Sequence, residues 1–221
     1  PAPPRPEAWH ASFCGHYALV AEENGAVVGF GDIDGTGYLD RLYVAEAISP
    51  LTENSCSDLE QELPGVPYIL RVSPAGEFEN LFATSRQKVQ VEEVYAGNGL
   101  QKGDEIYLTS SQWRIVIELQ PSALECSFVN IMKEGKEYLV FVTEKGKTNS
   151  ETLPVYRLYS NSMITPVFCY EDMKNVIIPV GEGPTYVPYS QVKDNEFFSA
   201  DEEGLEAWNS LKQKMLAAYP E

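Results

Sequence analysis

Between Gln87 and Lys145 apolar and polar positions alternate in short runs. Val89, Val91 and Val94 interleave with Gln90, Glu92 and Glu93, the period-two pattern of a half-buried strand. Gly97-Asn98-Gly99 and Lys102-Gly103-Asp104 punctuate the runs with residues that tolerate positive φ. The pattern predicts strands over KVQVEEVYAGN, GDEIYLTSS and QWRIVIEL, and another over EYLVFVTEK after the turn Lys133-Glu134-Gly135-Lys136. Upstream, Ile48 to Glu53 contains Ser49-Pro50 and reads as a linker. Ser55 or Ser57 then caps a short helix over SDLEQEL, which Pro64-Gly65 stops. VPYILRVS reads as a strand with Pro67 at its start, and residues 74–86 as a loop anchored by Phe78, Leu81 and Phe82.

The two ends of the chain carry different patterns. YALVAEENG, AVVGFGDID and GYLDRLYVA predict a three-stranded antiparallel meander, with Asn24-Gly25 as its hairpin turn. Leu19, Val28, Phe30, Leu39, Leu42 and Val44 are its core candidates. Such a meander has two open edges, so it is expected to dock on the rest of the chain or to form a homodimer with a second copy. Past residue 150 the apolar runs are short and broken by Pro and Gly, which predicts edge strands or an extended wrap. The last element is a helix: Ser199-Ala200-Asp201-Glu202 fits a capping box. Leu205, Trp208, Leu211, Met215 and Leu216 share one face, with Glu206, Asn209, Lys212 and Gln213 facing outward.

Charge narrows the partners. The 221 residues carry a net charge of −17 at pH 7, which argues against nucleic acid and anionic membrane surfaces. The acids are scattered, as on a solvated surface. No apolar run approaches the ~20 residues of a spanning helix, so no membrane insertion is expected. The opening PAPPRPEAWH shows neither the basic nor the apolar region of a secretion leader.

Candidate chemistry is sparse. The only histidines are His10 and His16, so no Ser/His/Asp or Cys/His constellation can form in the β-rich remainder and no catalytic residue is assigned. The four cysteines, Cys14, Cys56, Cys126 and Cys169, lack CxxC spacing, and no metal site is expected of them. Buried thiols and up to two disulfides both remain open, with Cys126–Cys169 the first pair to test. Glu171-Asp172, Asp194 and Glu196 lack the regular alternation of a calcium loop. Tyr95, Tyr107 and Trp113 are the aromatic candidates for ligand binding, against the more ordinary reading of core or barrel-rim packing.

Two stretches resemble known families. LVAEENGAVVGFGDIDGTGYLDRLYVA resembles the central strands of the GCN5-related N-acetyltransferases. The likeness implies that Leu42, Tyr43 and Val44 would line the pantetheine arm of acetyl-CoA, in a cytoplasmic enzyme. The chain departs from that family directly afterwards: no glycine stands between Val44 and Gly65, where the family places the glycine-bearing loop that holds the pyrophosphate at a helix N-terminus. Across residues 55–150 the succession V-x-V-x-x-V-Y-x-G, L-x-x-G-D-x-I and G-x-x-YLVF is similar to the OB-type barrels of netrin-like and tissue-inhibitor-of-metalloproteinase-like domains. Close variants occur in extracytoplasmic proteins of Gram-positive bacteria. That resemblance implies a binding fold of the cell envelope, without naming a ligand.

The expectation is thus a mainly β (α+β) chain. Residues 1–46 form the meander, and residues 47–221 an OB-like β-barrel with a strand-rich extension and a C-terminal amphipathic helix. The expected role is non-catalytic binding of a protein or small molecule, without a cofactor. The alternative is an acetyl-CoA-dependent N-acetyltransferase.

Overall fold

The computed structural model describes residues 17–23, 26–33, 39–44, 48–80, 85–110, 115–116, 122–124, 131–147, 153–161, 165–178, 186–188, 192, 194–199 and 201–221. The chain divides into two compact units, Pro1–Ile48 and Ser49–Glu221.

The first unit is a meander of β1 (Tyr17–Glu23), β2 (Ala26–Ile33) and β3 (Leu39–Val44). Both pairings are antiparallel and in the order β1-β2-β3. A register shift at Ala21/Glu22 and another at Asp32/Ile33 bend the ribbon.

The second unit is built on a closed five-stranded barrel. Its strands are β4 (Tyr68–Asn80), β5 (Ser85–Ala96), β6 (Glu105–Ser110), β9 (Tyr138–Lys145) and β10 (Val155–Leu158). The β4–β5, β5–β6, β4–β9 and β9–β10 pairs are antiparallel. The circle closes where β10 runs parallel to β6, Val155 opposite Tyr107 and Arg157 opposite Thr109. This order is that of an OB-like β-barrel, and it removes the open edges that an unclosed sheet would present. Past the contact with β10, the same edge of β9 pairs with β11 (Val167–Cys169).

Alternation explains the barrel interior. Leu70, Val72, Val89, Val91, Ile106 and Leu108 point inward with Val140, Val142, Tyr156 and Leu158, all buried. β9 is buried on both faces, because Leu139 and Phe141 point outward into a second core. That second core is helical. α1 (Ile48–Glu62) contributes Cys56 and Leu59, and the 3-10 turn that follows adds Leu63. α2 (Glu202–Ala218) contributes Trp208, Leu211 and Met215, and all of these cluster with Ile69, Leu139 and Phe141 of the barrel wall and with Phe168 of β11. Among the described residues no helix is long and apolar enough to cross a membrane.

Smaller sheets complete the unit. β7 (Ile115–Val116), β8 (Ser122–Leu124) and β13 (Tyr186–Pro188) form one in the order β13-β8-β7. β12 (Val176–Ile177) and β14 (Phe198–Ser199) form another, paired in parallel.

Several expectations are corrected. The linker at 48–53 is the start of α1; Pro50 is tolerated in a first turn, where its absent N–H has no carbonyl to reach. The loop at 74–86 is largely strand: β4 runs to Asn80, a register shift between Pro74 and Phe78 absorbs the irregular residues, and β5 starts at Ser85. The barrel does not end near residue 150, since its closing strand is β10, and the described part of QWRIVIEL pairs with β8 instead of joining the barrel. The cap of α2 is not Ser199 but Asp201, whose Oδ1 accepts from Gly204 N at 2.8 Å. Lys212 does not face outward; its side chain is 12% exposed and meets a buried carboxylate.

Candidate functional site

The helices cover one side of the barrel wall, and the strands β5, β6 and β10 present a different face outward. Along β5, Ser85, Gln87, Val89 and Val91 are buried while Arg86 and Lys88 are half-buried and Gln90 is exposed. Along β6, Ile106, Leu108 and Ser110 are buried and Glu105, Tyr107 and Thr109 face out. Arg86 lies over the Tyr107 ring, its Cζ 4.2 Å from the centroid. Its Nε and Nη2 both donate to Glu79 Oε2, at 3.1 and 2.9 Å. Beside this stack Lys88 pairs with Glu105 at 2.8 Å and Arg157 of β10 with Glu144 at 3.5 Å. Exposed pairs of this kind contribute about 0–1 kcal/mol each. They fix side-chain directions more than they hold the fold. The result is a surface with a planar cation on an aromatic ring and acids beside it, suited to polar ligands that also offer a flat or apolar face.

The residues singled out in the sequence do not converge. Tyr107 is on the face just described. Tyr95 is at the other end of β5, under the C-terminal end of α2. Its ring centroid lies 5.5 Å from that of Tyr219, and its hydroxyl meets Tyr170 Oη at 3.0 Å and donates to Pro220 O. Tyr95 is thus engaged by the C-terminal residues. Trp113, Cys126, His10 and His16 lie outside the described residues. Cys169 is a free, buried thiol at the end of β11, clustered with Tyr138 and Val140, and Cys126, its candidate partner, lies outside the described residues. Leu42, Tyr43 and Val44 lie in β3 opposite Gly31, Phe30 and Gly29. Three of the four acids considered for a cation have a lysine instead: Glu171 with Lys136 at 2.5 Å, Asp194 with Lys133 at 2.8 Å and Glu196 with Lys212 at 2.6 Å. Among the described residues no group of His, Cys, Asp and Glu is arranged to hold a metal.

A second polar centre was not anticipated from the sequence. Glu196 is 1% exposed, and one of its oxygens, Oε1, accepts from Cys169 N at 2.5 Å while Oε2 accepts from Lys212 Nζ. Lys212 also donates to Glu171 O at 3.2 Å. Burial pushes the Glu196 carboxyl above the usual range, and Lys212 pulls against that shift. Burial likewise raises the Cys169 thiol and the Tyr138 hydroxyl. Cys169 and Tyr138 are thus held in their neutral forms, which disfavours nucleophilic chemistry at the thiol. A sequence signal existed: Lys212 follows Trp208 by one helical turn, at the margin of the apolar stripe.

The chain matches no family model, and no curated protein matches it either.

Proposed function

We propose that this chain is a non-catalytic binding protein whose OB-like barrel takes its ligand on the outer face of β5 and β6. The observation that carries this reading is the Arg86–Tyr107 stack, set on the part of the wall that the helices leave uncovered. OB barrels bind through the equivalent second and third strands. Protonated, buried Cys56 and Cys169 support a binding role over a catalytic one. The acidity of the chain favours protein or small-molecule ligands over nucleic acid. A cell-envelope location and pairing of two copies through the meander edge belong to the same reading.

Amide shift mapping of the full chain with a panel of short peptides and oligosaccharides tests it. Perturbations are expected at Arg86–Gln90, Glu105–Thr109 and Arg157, and to be lost in Tyr107→Ala. Perturbations confined to other faces overturn the placement. Micromolar binding of acetyl-CoA in calorimetry overturns the ranking in favour of an acetyltransferase using Leu42–Val44.

A further inference from the structure

Between β5 and β6 the chain makes an exposed excursion. Val91 N donates to Asp104 O at 2.8 Å and Gly103 N to Val91 O at 2.7 Å, which closes the hairpin below it. Gly97, Asn98 and Gly99 stand beyond the end of β5, and all three are exposed. Gly99 has φ +80°, and a Cβ placed on it would meet nothing within 4 Å. Among the described residues no hydrogen bond engages the Asn98 carboxamide or the Gly99 N–H. Other asparagines are held. Asn175 Oδ1 accepts from Phe197 N at 2.8 Å, Asn161 Nδ2 donates to Ser55 O at 3.4 Å, and Asn195 is 3% exposed. Asn54 and Asn209 lie within α1 and α2. Each of these is followed by a residue that carries a side chain, whereas Asn98 is followed by glycine.

A glycine after asparagine brings no Cβ to obstruct its own nitrogen and leaves the backbone free to bend toward the preceding side chain. We propose that Asn98-Gly99 is a self-modification site, at which the chain converts Asn98 to aspartate and isoaspartate without an enzyme. The Gly99 nitrogen, having lost its proton, attacks Asn98 Cγ. The new C–N bond closes a five-membered succinimide, the Cγ–Nδ2 bond breaks, and ammonia leaves with the proton. Water then opens the ring. Cleavage of the bond to Cγ gives aspartate on the ordinary main chain, and cleavage of the bond to the main-chain carbonyl carbon gives isoaspartate. Nothing is oxidised or reduced, and water is the only co-reactant. Either product replaces a neutral amide with a carboxylate, and isoaspartate routes the main chain through one additional methylene. That lengthening falls outside the Val91–Asp104 closure, so the barrel keeps its register. The site does not depend on the ligand-binding reading above.

The test is peptide mass spectrometry of the full chain held at pH 8, beside the free peptide YAGNGLQ, residues 95–101. The readout is the mass gained when an amide NH2 is replaced by OH. The folded chain should convert Asn98 at a rate within about tenfold of the free peptide, because no local opening has to come first. Asn175 and Asn195 need such an opening and should convert at least about tenfold more slowly than Asn98. In heavy-oxygen water the product should carry one heavy oxygen from ring hydrolysis, and Asn98→Gln should lose the signal. Conversion of Asn98 more than about tenfold slower than in the free peptide overturns the proposal, since the turn would then hold the nitrogen away from Cγ. Conversion of Asn175 or Asn195 as fast as Asn98, or product without heavy oxygen, overturns it as well.

Discussion

The Lys212 ammonium lies 2.6 Å from Glu196 Oε2, with the two side chains 12% and 1% exposed. Removing one member of such a pair leaves an uncompensated buried charge, which costs about 3–5 kcal/mol. Lys212→Met should lose that much at pH 7 in urea unfolding. The pH dependence follows from the direction of the Glu196 shift. Its folded-state pKa is raised, chiefly by burial. Its contribution is therefore fully present below the unfolded value of about 4.3 and is lost as pH rises through the folded value. Without Lys212 the folded value rises further. The gap between the two chains should shrink on acidification, as Glu196 takes its proton in both, and Glu196→Gln/Lys212→Met should recover part of the loss at pH 7. A gap that widens toward pH 4.5 contradicts the assigned sign.

Trp208 is fully buried between Phe197 and Phe168. Trp208→Ala should cost about 3–5 kcal/mol, read from the shift of the denaturant midpoint. A cost near zero would mean that the helix does not pack as described.

Gly97 has φ +122°, and a Cβ there would stand 2.4 Å from the Tyr68 ring. Gly97→Ala therefore meets both backbone strain and a clash, and about 2–4 kcal/mol is expected. Gly99, with φ +80° and open space around it, should tolerate asparagine at about 1 kcal/mol or less. Thermal unfolding of the two variants separates them.

At the start of α2 the two candidate caps should differ. Asp201→Ala removes the acceptor for Gly204 N and should cost about 1 kcal/mol. Ser199 Oγ is buried without a hydrogen-bond partner, so Ser199→Ala should be close to neutral or slightly stabilising. Parallel urea titrations check the order.

Thiol labelling tests the cysteine assignments. Burial pushes Cys56 up to about 12, so alkylation of the native chain at pH 8 should leave Cys56 and Cys169 unmodified. After denaturation without reductant both should be labelled in peptide mass spectra. Recovery of Cys169 only after reduction would restore the disulfide.

Local patterning made much of the barrel legible. The alternation in β5 and β6, the apolar block of β9 and the stripe of α2 all follow from period and turn residues. What failed to show was pairing between distant residues. VYRL reads as a strand from its own residues, but nothing local says that it lies parallel to β6. Pro74 and Gly76 break the alternation of β4, and only the partner strand shows that the ladder resumes at Phe78. Tyr107 reads as a candidate on its own, while Arg86, its diagonal partner on the neighbouring strand, does not. Tyr95 and Tyr107 read alike in sequence, and the C-terminal residues that engage Tyr95 separate them. Lys212 and Glu196 each look like solvated charges until the fold brings them together.

Closure by β10 has a consequence for synthesis. The barrel's last strand in chain order is also the one that completes it, so a growing chain carries β6 with a bare edge until Leu158 has emerged. The wall of β4 and β9 stays greasy until Trp208 follows. Translation therefore passes through an interval in which nascent β-structure is open to wrong partners, and pausing or chaperone capture in that interval should govern yield more than the finished molecule's stability does.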